Sequence, residues 1–380
     1  MAHNLYPYFA ELQKIPSTRK LKRSRVYSKV RPELEKLLNS VDVGLFAKNE
    51  DGKTQGPYRA VAWNLERGIR YDGIEKVLKE HPLLKGGDLY FIPETDWGMA
   101  RSQNRHIARD LAQSLRLNYF FAPSYLNLCK GSGLEAEAEG ENTVGLHGIS
   151  ILSRYPIKNP RTVALKNAKD KFKGKEKRLG HKRIPVCDVE LPAGTVTVAC
   201  VHLDAHSSQR QRACQMKTIL KALRDNPYPV LVGGDWNTST YNSRRATYAI
   251  VGFWRRVFMG TGHVISNHYQ HPDHWFERKL FRGLEKEGFN YKDFNQNGGG
   301  TIHYHVDDIR AYKNLKDWIP QWCFRFIEWS LRGHNGECPF KLDWFAGKGL
   351  RPANPGIVGN LTHNGYKLSD HDPIVVGFTL

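Results

Sequence analysis

Short apolar runs that end in polar side chains recur along this chain. The clearest is residues 230–232, which are followed by two glycines and then by Asp235, Trp236 and Asn237. Such a run is typical of a buried strand that delivers polar groups to its carboxyl end. Asp235 and Asn237 would point the same way on an extended segment. A carboxylate beside an amide can orient water and hold an oxygen, although a strand-end turn would have the same sequence.

The remaining pattern predicts helices that alternate with buried strands. Strands are predicted at residues 59–64, 88–94, 147–154, 186–191, 195–201 and 374–378. Helices are predicted at residues 71–80, 101–117, 209–225 and 274–289, where apolar residues recur at helical spacing. Residues 192–194 would close a hairpin, residues 129–143 would form a loop, and residues 297–300 would form a turn. This alternation favours an α/β fold.

Two segments differ in character from this core. Residues 1–57 form a basic N-terminal extension, in which Pro32 would occupy the first turn of a short helix at residues 31–41. The rest would be an ordered extension or a mobile arm, and a solvated tail is the favoured alternative. Residues 58–380 would form the main domain, and residues 240–340 hold five of the nine tryptophans as an aromatic-rich insertion. The insertion, with a second aromatic stretch at residues 318–331, would cap one side of the core, as packing or as a lid that faces substrate or membrane.

The charge balance indicates a polyanionic partner. The chain has 57 Lys and Arg against 38 Asp and Glu, a formal net charge of +19. Nucleic acid, a phosphoinositide-type head group and an anionic membrane surface all fit this excess. Residues 166–183 are the densest basic run, with nine Lys and Arg against two acids. The run would be a solvated loop or, beside an active site, would steer an anionic substrate.

The six cysteines and the lengths of the apolar runs indicate in which cellular compartment the protein is expected. No two cysteines form a CxxC pair, so neither a disulfide framework nor a zinc ribbon is expected. The sequence has no signal-peptide core and no apolar run of 18 residues, so we expect no transmembrane segment. The default expectation is a soluble cytoplasmic monomer with no protein partner.

Polar side chains at six strand ends or turns indicate a shared site. These residues are Asn64, Glu94, His202, Asp235 with Asn237, Asp343, and Asp370 with His371. The motifs AWNLERG, FIPET, HGISILSRYPI, VACVHLDAHSS, VGGDWNTS, KLDWF and LSDHDPI, between residues 60 and 377, resemble the endonuclease/exonuclease/phosphatase superfamily. The resemblance implies a four-layered α/β sandwich, in which two mixed β-sheets lie face to face and are flanked by helices.

The resemblance also implies a role for each of these residues. Glu94, Asn64 and Asp370 would supply oxygen ligands for Mg²⁺ or Mn²⁺. Asp235 would orient or deprotonate the attacking water, and Asn237 would hold that water or a phosphate oxygen. His371 would contact the phosphoryl group while Asp343 fixes its tautomer. His202, where some members have tyrosine, would stabilise or protonate the developing oxyanion, which weakens an AP-endonuclease interpretation.

Other histidines have weaker interpretations. His181 and Arg183, ahead of a core strand, could bind substrate phosphate. Alternation would place His303, His305 and Asp307 on one face, as a second metal site or as a polar loop. His202 and His206 have the spacing of helical zinc ligands, but His202 ends a strand, which disfavours zinc.

The sequence therefore predicts a divalent-metal-dependent phosphoric-ester hydrolase. Phosphodiester cleavage of nucleic acid is favoured, and an anionic phospholipid or phosphoinositide head group is the alternative substrate. The inositol 5-phosphatase branch ranks lower, because residues 337–343 lack its WCDR-type signature. A non-catalytic polyanion-binding protein is a second alternative, disfavoured because all the acids and the final histidine are present.

Overall fold

Two β-sheets that face each other form the centre of the fold. The computed structural model describes residues 3–48, 56–238, 246–305, 329, 331–332 and 336–380. The strands in these residues are β1 (Asp42–Gly44), β2 (Tyr58–Ala62), β3 (Leu89–Trp97), β4 (Asn118–Asn127), β5 (Leu146–Ser153), β6 (Ile157–Ala164), β7 (Arg178–Gly180), β8 (Arg183–Leu191), β9 (Gly194–His202), β10 (Val230–Asp235), β11 (Ile302–His305), β12 (Glu337–Phe340), β13 (Asp343–Lys348), β14 (Arg351–Ile357), β15 (Thr362–His363), β16 (Tyr366–Lys367) and β17 (Ile374–Thr379).

The helices lie outside the sheets. They are α1 (Phe9–Gln13), α2 (Thr18–Leu21), α3 (Arg25–Asn39), α4 (Tyr71–Glu80), α5 (Ile107–Leu115), α6 (Gln209–Leu223), α7 (Ala246–Met259), α8 (Thr261–Val264), α9 (Pro272–Trp275) and α10 (Arg278–Lys286), with short 3₁₀ turns at Tyr6–Tyr8, Ala100–Ser102 and Gly133–Glu137 and a π turn at Ile265–Tyr269. No helix in the described ranges combines the length and the apolar character needed to cross a membrane.

Both large sheets are mixed. The first has the order β1-β4-β5-β3-β2-β17-β14, with β7 on β4, and the second has the order β13-β10-β9-β8-β6. Strands β2 and β3 are parallel, as are β9 and β10, while the other neighbours are antiparallel. The β8–β9 pair is the predicted hairpin, with Leu191 opposite Gly194.

Apolar side chains fill the space between the layers. The inner faces share one core, in which Phe91 of β3 meets Phe345 of β13 edge-on at 5.5 Å. Helices α6 and α10 pack on the second sheet and extend that core. A second cluster joins the outer face of the first sheet to α3, α4 and α5. The four-layered α/β sandwich is confirmed.

The N-terminal segment is part of this packing, so the prediction of a solvated tail is wrong for residues 3–48. Helix α3 begins at Arg25, six residues earlier than predicted, because the Ser24 side chain accepts a hydrogen bond from the Tyr27 backbone N–H. Pro32 therefore lies inside the helix and not in its first turn. The buried residues of α3, among them Val30 and Leu34, pack into the second cluster, and β1 adds to the edge of the first sheet.

Two predicted helices are interrupted. Residues 101–117 contain a 3₁₀ turn and then α5, because Gln103 and Asn104 adopt left-handed φ angles of 58° and 56°. Residues 274–289 divide between α9 and α10. Most of the predicted aromatic stretch at residues 318–331 lies outside the described residues.

Candidate active site

Three neighbouring strands of the second sheet bring polar residues to one edge. Asp235 at the end of β10 lies opposite His202 at the end of the parallel strand β9. Asp235 also lies opposite Asp343, the first residue of the antiparallel strand β13. Glu94 lies in β3 of the facing sheet, and Asn64 follows β2 of that sheet by two residues, so both sheets contribute to the site.

Asp343 and His371 form a buried acid–imidazole pair. Oδ2 of Asp343 lies 2.7 Å from Nδ1 of His371 and accepts a second hydrogen bond from Thr301 Oγ1, also at 2.7 Å. The indole N–H of Trp63 donates to the His371 carbonyl at 2.8 Å and fixes the backbone of this loop. Burial alone would lower the pKa of His371, but the Asp343, Asp235 and Asp370 carboxylates raise that pKa well above its usual value.

Asp235 lies at the centre of the site. Its Oδ1 accepts the Asn237 backbone N–H at 2.8 Å, and its Oδ2 accepts the side-chain amides of Asn237 at 2.8 Å and Asn64 at 3.2 Å. The same Oδ2 lies 3.5 Å from Nε2 of His202 and 3.9 Å from Nε2 of His371. Burial, with the nearby Asp343 charge acting in the same direction, raises the pKa of Asp235 to about 7.

Glu94 is directed into the site by a β-bulge. It has a left-handed φ of 55°, and the pairing of β3 with β5 shifts between Ile92 and Thr95. Its Oε1 lies 3.7 Å from Nε2 of His202, and its Oε2 lies 3.9 Å from Nε of Arg67. Burial would raise the pKa of Glu94, but Arg67 and His202 hold it well below its usual value. Burial, followed by the charge of Lys182, lowers the pKa of His202 well below its usual value.

Glu66 is a site residue that was not identified from the sequence. Burial, followed by the negative charges of Asp370 and Glu94, raises its pKa to about 7. Its backbone N–H donates to Oδ1 of Asn64 at 3.1 Å, and it adopts a left-handed φ of 46°. The one sequence feature that could have identified Glu66 is its position two residues after Asn64, on the segment that follows β2.

Two donor sets in the site could hold a divalent cation. Glu66, Glu94 and Asp370, with the amide oxygen of Asn64, are hard oxygen donors whose charges repel one another without a cation. Asp235, Asp343 and His371 also place ligand atoms within 4.8 Å of one another. In that second set, the 2.7 Å hydrogen bond between Asp343 and His371 already uses one atom of each residue. The second set therefore has fewer free ligand atoms than its close spacing alone indicates.

A buried ion network is connected to Glu94 through Arg67. Arg101 binds Asp96 through Nε at 2.7 Å and also binds Glu135 and Glu176 through Nη1 at 3.0 and 2.6 Å. Glu135 in turn lies 3.0 Å from Nη1 of Arg67. This network could not be predicted from the sequence, because nothing in the local pattern shows which distant residues pair.

Two of the weaker candidate residues are engaged by other parts of the protein. Arg183 donates to Asn39 of α3 and to Thr162, so its guanidinium is engaged by the protein. His181 is half-buried, and burial followed by the Arg183 charge lowers its pKa. Nε2 of His303 lies 3.3 Å from Asp372 and Nδ1 lies 3.6 Å from Glu337, so this ring pairs with carboxylates. Asp307, from the same prediction, lies outside the described residues.

Comparison with known proteins agrees with this architecture. The sequence profile of the Endonuclease/Exonuclease/phosphatase family matches residues 61–371, most of the chain. The chain therefore belongs to this family, whose members hydrolyse phosphoric esters. No curated protein matches the chain.

The solved structures that the chain resembles are distant from it in sequence. An endonuclease/exonuclease/phosphatase from Beutenbergia cavernae DSM 12333 is 15% identical with a TM-score of 0.50, and the match covers 85% of this chain and 71% of that one. A 3'-5' exonuclease from Neisseria Meningitidis is 12% identical with a TM-score of 0.47, covering 85% and 100%. Truncated TDP2 from Caenorhabditis elegans is 13% identical with a TM-score of 0.43, covering 85% and 97%.

Proposed function

We propose that this protein is a divalent-metal-dependent phosphodiesterase that acts on nucleic acid. One observation supports the chemistry above all others: Oδ2 of Asp235 is surrounded by polar groups from both sheets. Asn64 and Asn237 donate to it, and Nε2 atoms of His202 and His371 lie 3.5 and 3.9 Å away. A buried carboxylate held in this way is suited to take a proton from an attacking water.

The remaining roles follow from position. Water activated by Asp235 would attack phosphorus, while Asn237 holds the water or a phosphate oxygen. The imidazole of His371, oriented by Asp343, would donate a hydrogen bond to the phosphoryl group. His202 would donate to the oxygen that leaves as its bond to phosphorus breaks.

Asn64, Glu66, Glu94 and Asp370 would hold the divalent ion. The ion, as Mg²⁺ or Mn²⁺, would neutralise charge on the phosphoryl and leaving oxygens. Arg67 lies 3.9 Å from Glu94 and would keep that carboxylate ionised and ready to bind the cation.

The charge of the chain supports nucleic acid as the substrate. The net charge of +19 favours a polyanion. Within the basic run of residues 166–183, the Lys182 ammonium donates to the carbonyl of Leu203, the residue after His202, at 2.6 Å. Phospholipid is a second candidate because of helix α7. The side chains of Tyr248, Val251 and Phe258 there are 48, 67 and 85% exposed at helical spacing, with exposed Arg255 between them. An outward apolar stripe with a cation suits a membrane interface.

A turnover panel tests the proposal. Purified protein in Mg²⁺, with and without EDTA, would be given plasmid DNA, single-stranded RNA, sphingomyelin vesicles and bis(4-nitrophenyl) phosphate. We expect EDTA-sensitive cleavage of nucleic acid and of the aryl diester. Asp235→Asn should lower turnover by roughly 10²- to 10⁴-fold, whereas Asp72→Asn, at an exposed position, should not. Cleavage of sphingomyelin vesicles alone would contradict nucleic acid as the substrate and favour phospholipid. Binding of nucleic acid without any turnover would favour a non-catalytic protein.

A further inference from the structure

Arg67 lies beside Glu94 and has a buried donor without a partner. Its Nε lies 3.9 Å from Oε2 of Glu94, which is beyond hydrogen-bond distance. Within the part of the chain that the structure describes, this buried Nε–H has no hydrogen-bond partner. A shift of about 1 Å toward Glu94 would satisfy the donor, and an unsatisfied buried donor is costly. Another contact must therefore hold the guanidinium away from Glu94.

Glu135 makes that contact. Its Oε1 lies 3.0 Å from Nη1 of Arg67, so Glu135 is a closer partner of the guanidinium than Glu94 is. Glu135 belongs to the 3₁₀ turn Gly133–Glu137, in the 129–143 loop. Its side chain approaches Gly131 so closely that a Cβ at position 131 would lie 2.5 Å from Cβ of Glu135. Glycine at position 131 thus leaves room for the Glu135 side chain.

Glu135 is itself held by a buried arginine. Nη1 of Arg101 lies 3.0 Å from Oε2 of Glu135. Another edge of Arg101 binds both carboxylate oxygens of Asp96, through Nε at 2.7 Å and Nη2 at 3.0 Å. The side chains of Arg101 and Asp96 are 1% and 0% exposed, so salt and water screen this pair little. The two oxygens of Glu135 are therefore divided between two arginines, one of which is anchored in the core.

The backbone keeps Arg67 close to Glu94. Arg67 forms an isolated parallel β-bridge with Thr95, the residue after Glu94. Arg67 and the preceding Glu66 both have left-handed φ angles, of 67° and 46°. Such angles are costly in residues other than glycine and persist where the surrounding structure requires them. Because a guanidinium and a divalent ion would both be attracted to the Glu94 carboxylate, Arg67 can compete with the ion.

We propose that Glu135 is a positioning residue that holds Arg67 away from Glu94 and so leaves this carboxylate available to a divalent cation. The assignment rests on the proposed function, in which Glu94 is a ligand of that cation. It gives the 129–143 loop a role in setting the affinity of the site for Mg²⁺ or Mn²⁺. Without the contact to Glu135, Arg67 would pair directly with Glu94, and the ion would have to displace it.

Calorimetric titration of Mn²⁺ into the purified protein tests this role without relying on turnover. We expect Glu135→Gln to weaken the Mn²⁺ affinity roughly tenfold, the size of effect that residues supporting metal ligands have. Glu135→Asp keeps the charge but shortens the side chain, so it should also weaken binding, whereas an effect of charge alone would leave its affinity unchanged. Glu137→Gln removes a charge at an exposed position of the same turn and is the matched control.

A double substitution tests whether Arg67 is the competitor. Removal of the arginine as well, in Glu135→Gln/Arg67→Gln, should restore the Mn²⁺ affinity to within about threefold of the wild type, because the two positions are coupled. A loss that persists in the double variant would overturn the positioning role. So would wild-type affinity in Glu135→Asp, or an equal loss in Glu137→Gln. Far-UV circular dichroism is the control for folding of each variant.

The same titrations separate failure of this role from failure of the proposed function. Mn²⁺ affinities that change as expected, in a protein that cleaves none of the panel substrates, would overturn the proposed function and leave the role of Glu135 intact. Turnover with Mn²⁺ affinities that do not respond to Glu135→Gln would overturn the role of Glu135 alone. Absence of Mn²⁺ binding by the wild type would overturn both.

Discussion

Nδ1 of His371 lies 2.7 Å from Oδ2 of Asp343, although the two residues are 28 positions apart in the chain. Asp343 begins strand β13, whereas His371 precedes β17 in the other sheet. The pair therefore joins the two sheets at the site edge. It also fixes the imidazole so that its other nitrogen, Nε2, is directed toward Asp235 at 3.9 Å.

Asp343→Asn tests this orientation. An amide in place of the carboxylate could donate to Nδ1 and so favour the wrong tautomer. We expect kcat to fall by roughly 10²- to 10⁴-fold with a much smaller change in KM. The measurement is steady-state hydrolysis of bis(4-nitrophenyl) phosphate, with far-UV circular dichroism as the control for folding. A folded variant whose kcat stays within threefold of wild type would contradict the role of Asp343.

Glu66→Gln tests the cation site without relying on activity. The carboxylates of Glu66, Glu94 and Asp370 repel one another, so a bound divalent ion should gain much of its affinity from Glu66. We expect the affinity for Mn²⁺ to fall roughly tenfold or more, measured by isothermal titration calorimetry. Glu137→Gln, at an exposed position of the 129–143 loop, is the matched control. Equal affinities in the wild type and Glu66→Gln would remove Glu66 from the site.

The strand ends were the part of the site that the sequence could predict. Asp235, His202 and Asp343 each stand where an apolar run meets polar residues, and registers between adjacent strands then bring them together. Glu66 was missed because it follows a strand end in a left-handed turn, which the alternation of apolar and polar residues does not reveal.

Tertiary contacts explain the remaining differences between the predicted and the observed structure. Helix α3 is highly charged on its exposed face, so its composition resembles that of a tail. Its burial depends on strand β4 about 90 residues later, which no local pattern encodes. The predicted helix over residues 101–117 is interrupted at Gln103 and Asn104, which adopt left-handed conformations. These residue types allow such a conformation, but their presence alone does not predict it.

Leu34→Ala tests whether the N-terminal segment is structural. The Leu34 side chain is 3% exposed within the cluster beneath the first sheet. Truncation should leave a cavity and lower the free energy of unfolding by about 2–5 kcal/mol. Urea denaturation monitored by tryptophan fluorescence gives this value. Glu35→Ala, at the exposed neighbouring position, should change it by less than about 1 kcal/mol. Equal effects of the two substitutions on the free energy of unfolding would contradict a structural role for this segment and would favour a solvated tail.

Asp204→Asn tests, through its pH dependence, how Asp204 anchors the basic run of residues 166–183, which it contacts at Ala168 and Lys171. Burial alone would raise the pKa of Asp204, but Lys182, Lys171 and the Ala168 N–H lower it to about 2, below the ordinary 3.8. A carboxyl group with a depressed pKa in the folded state stabilises the protein above its unfolded pKa, and this contribution disappears as the pH falls through the folded value. The wild type should therefore exceed Asp204→Asn in unfolding free energy by about 2 kcal/mol at pH 6, from the pKa difference. This difference in unfolding free energy should narrow as the pH falls from about 4 toward 2.

Urea denaturation at several pH values measures the difference between the wild type and Asp204→Asn, with Asp225→Asn at an exposed position as control. A gap that stays constant or widens on acidification would show that the lysines do not hold Asp204 ionised.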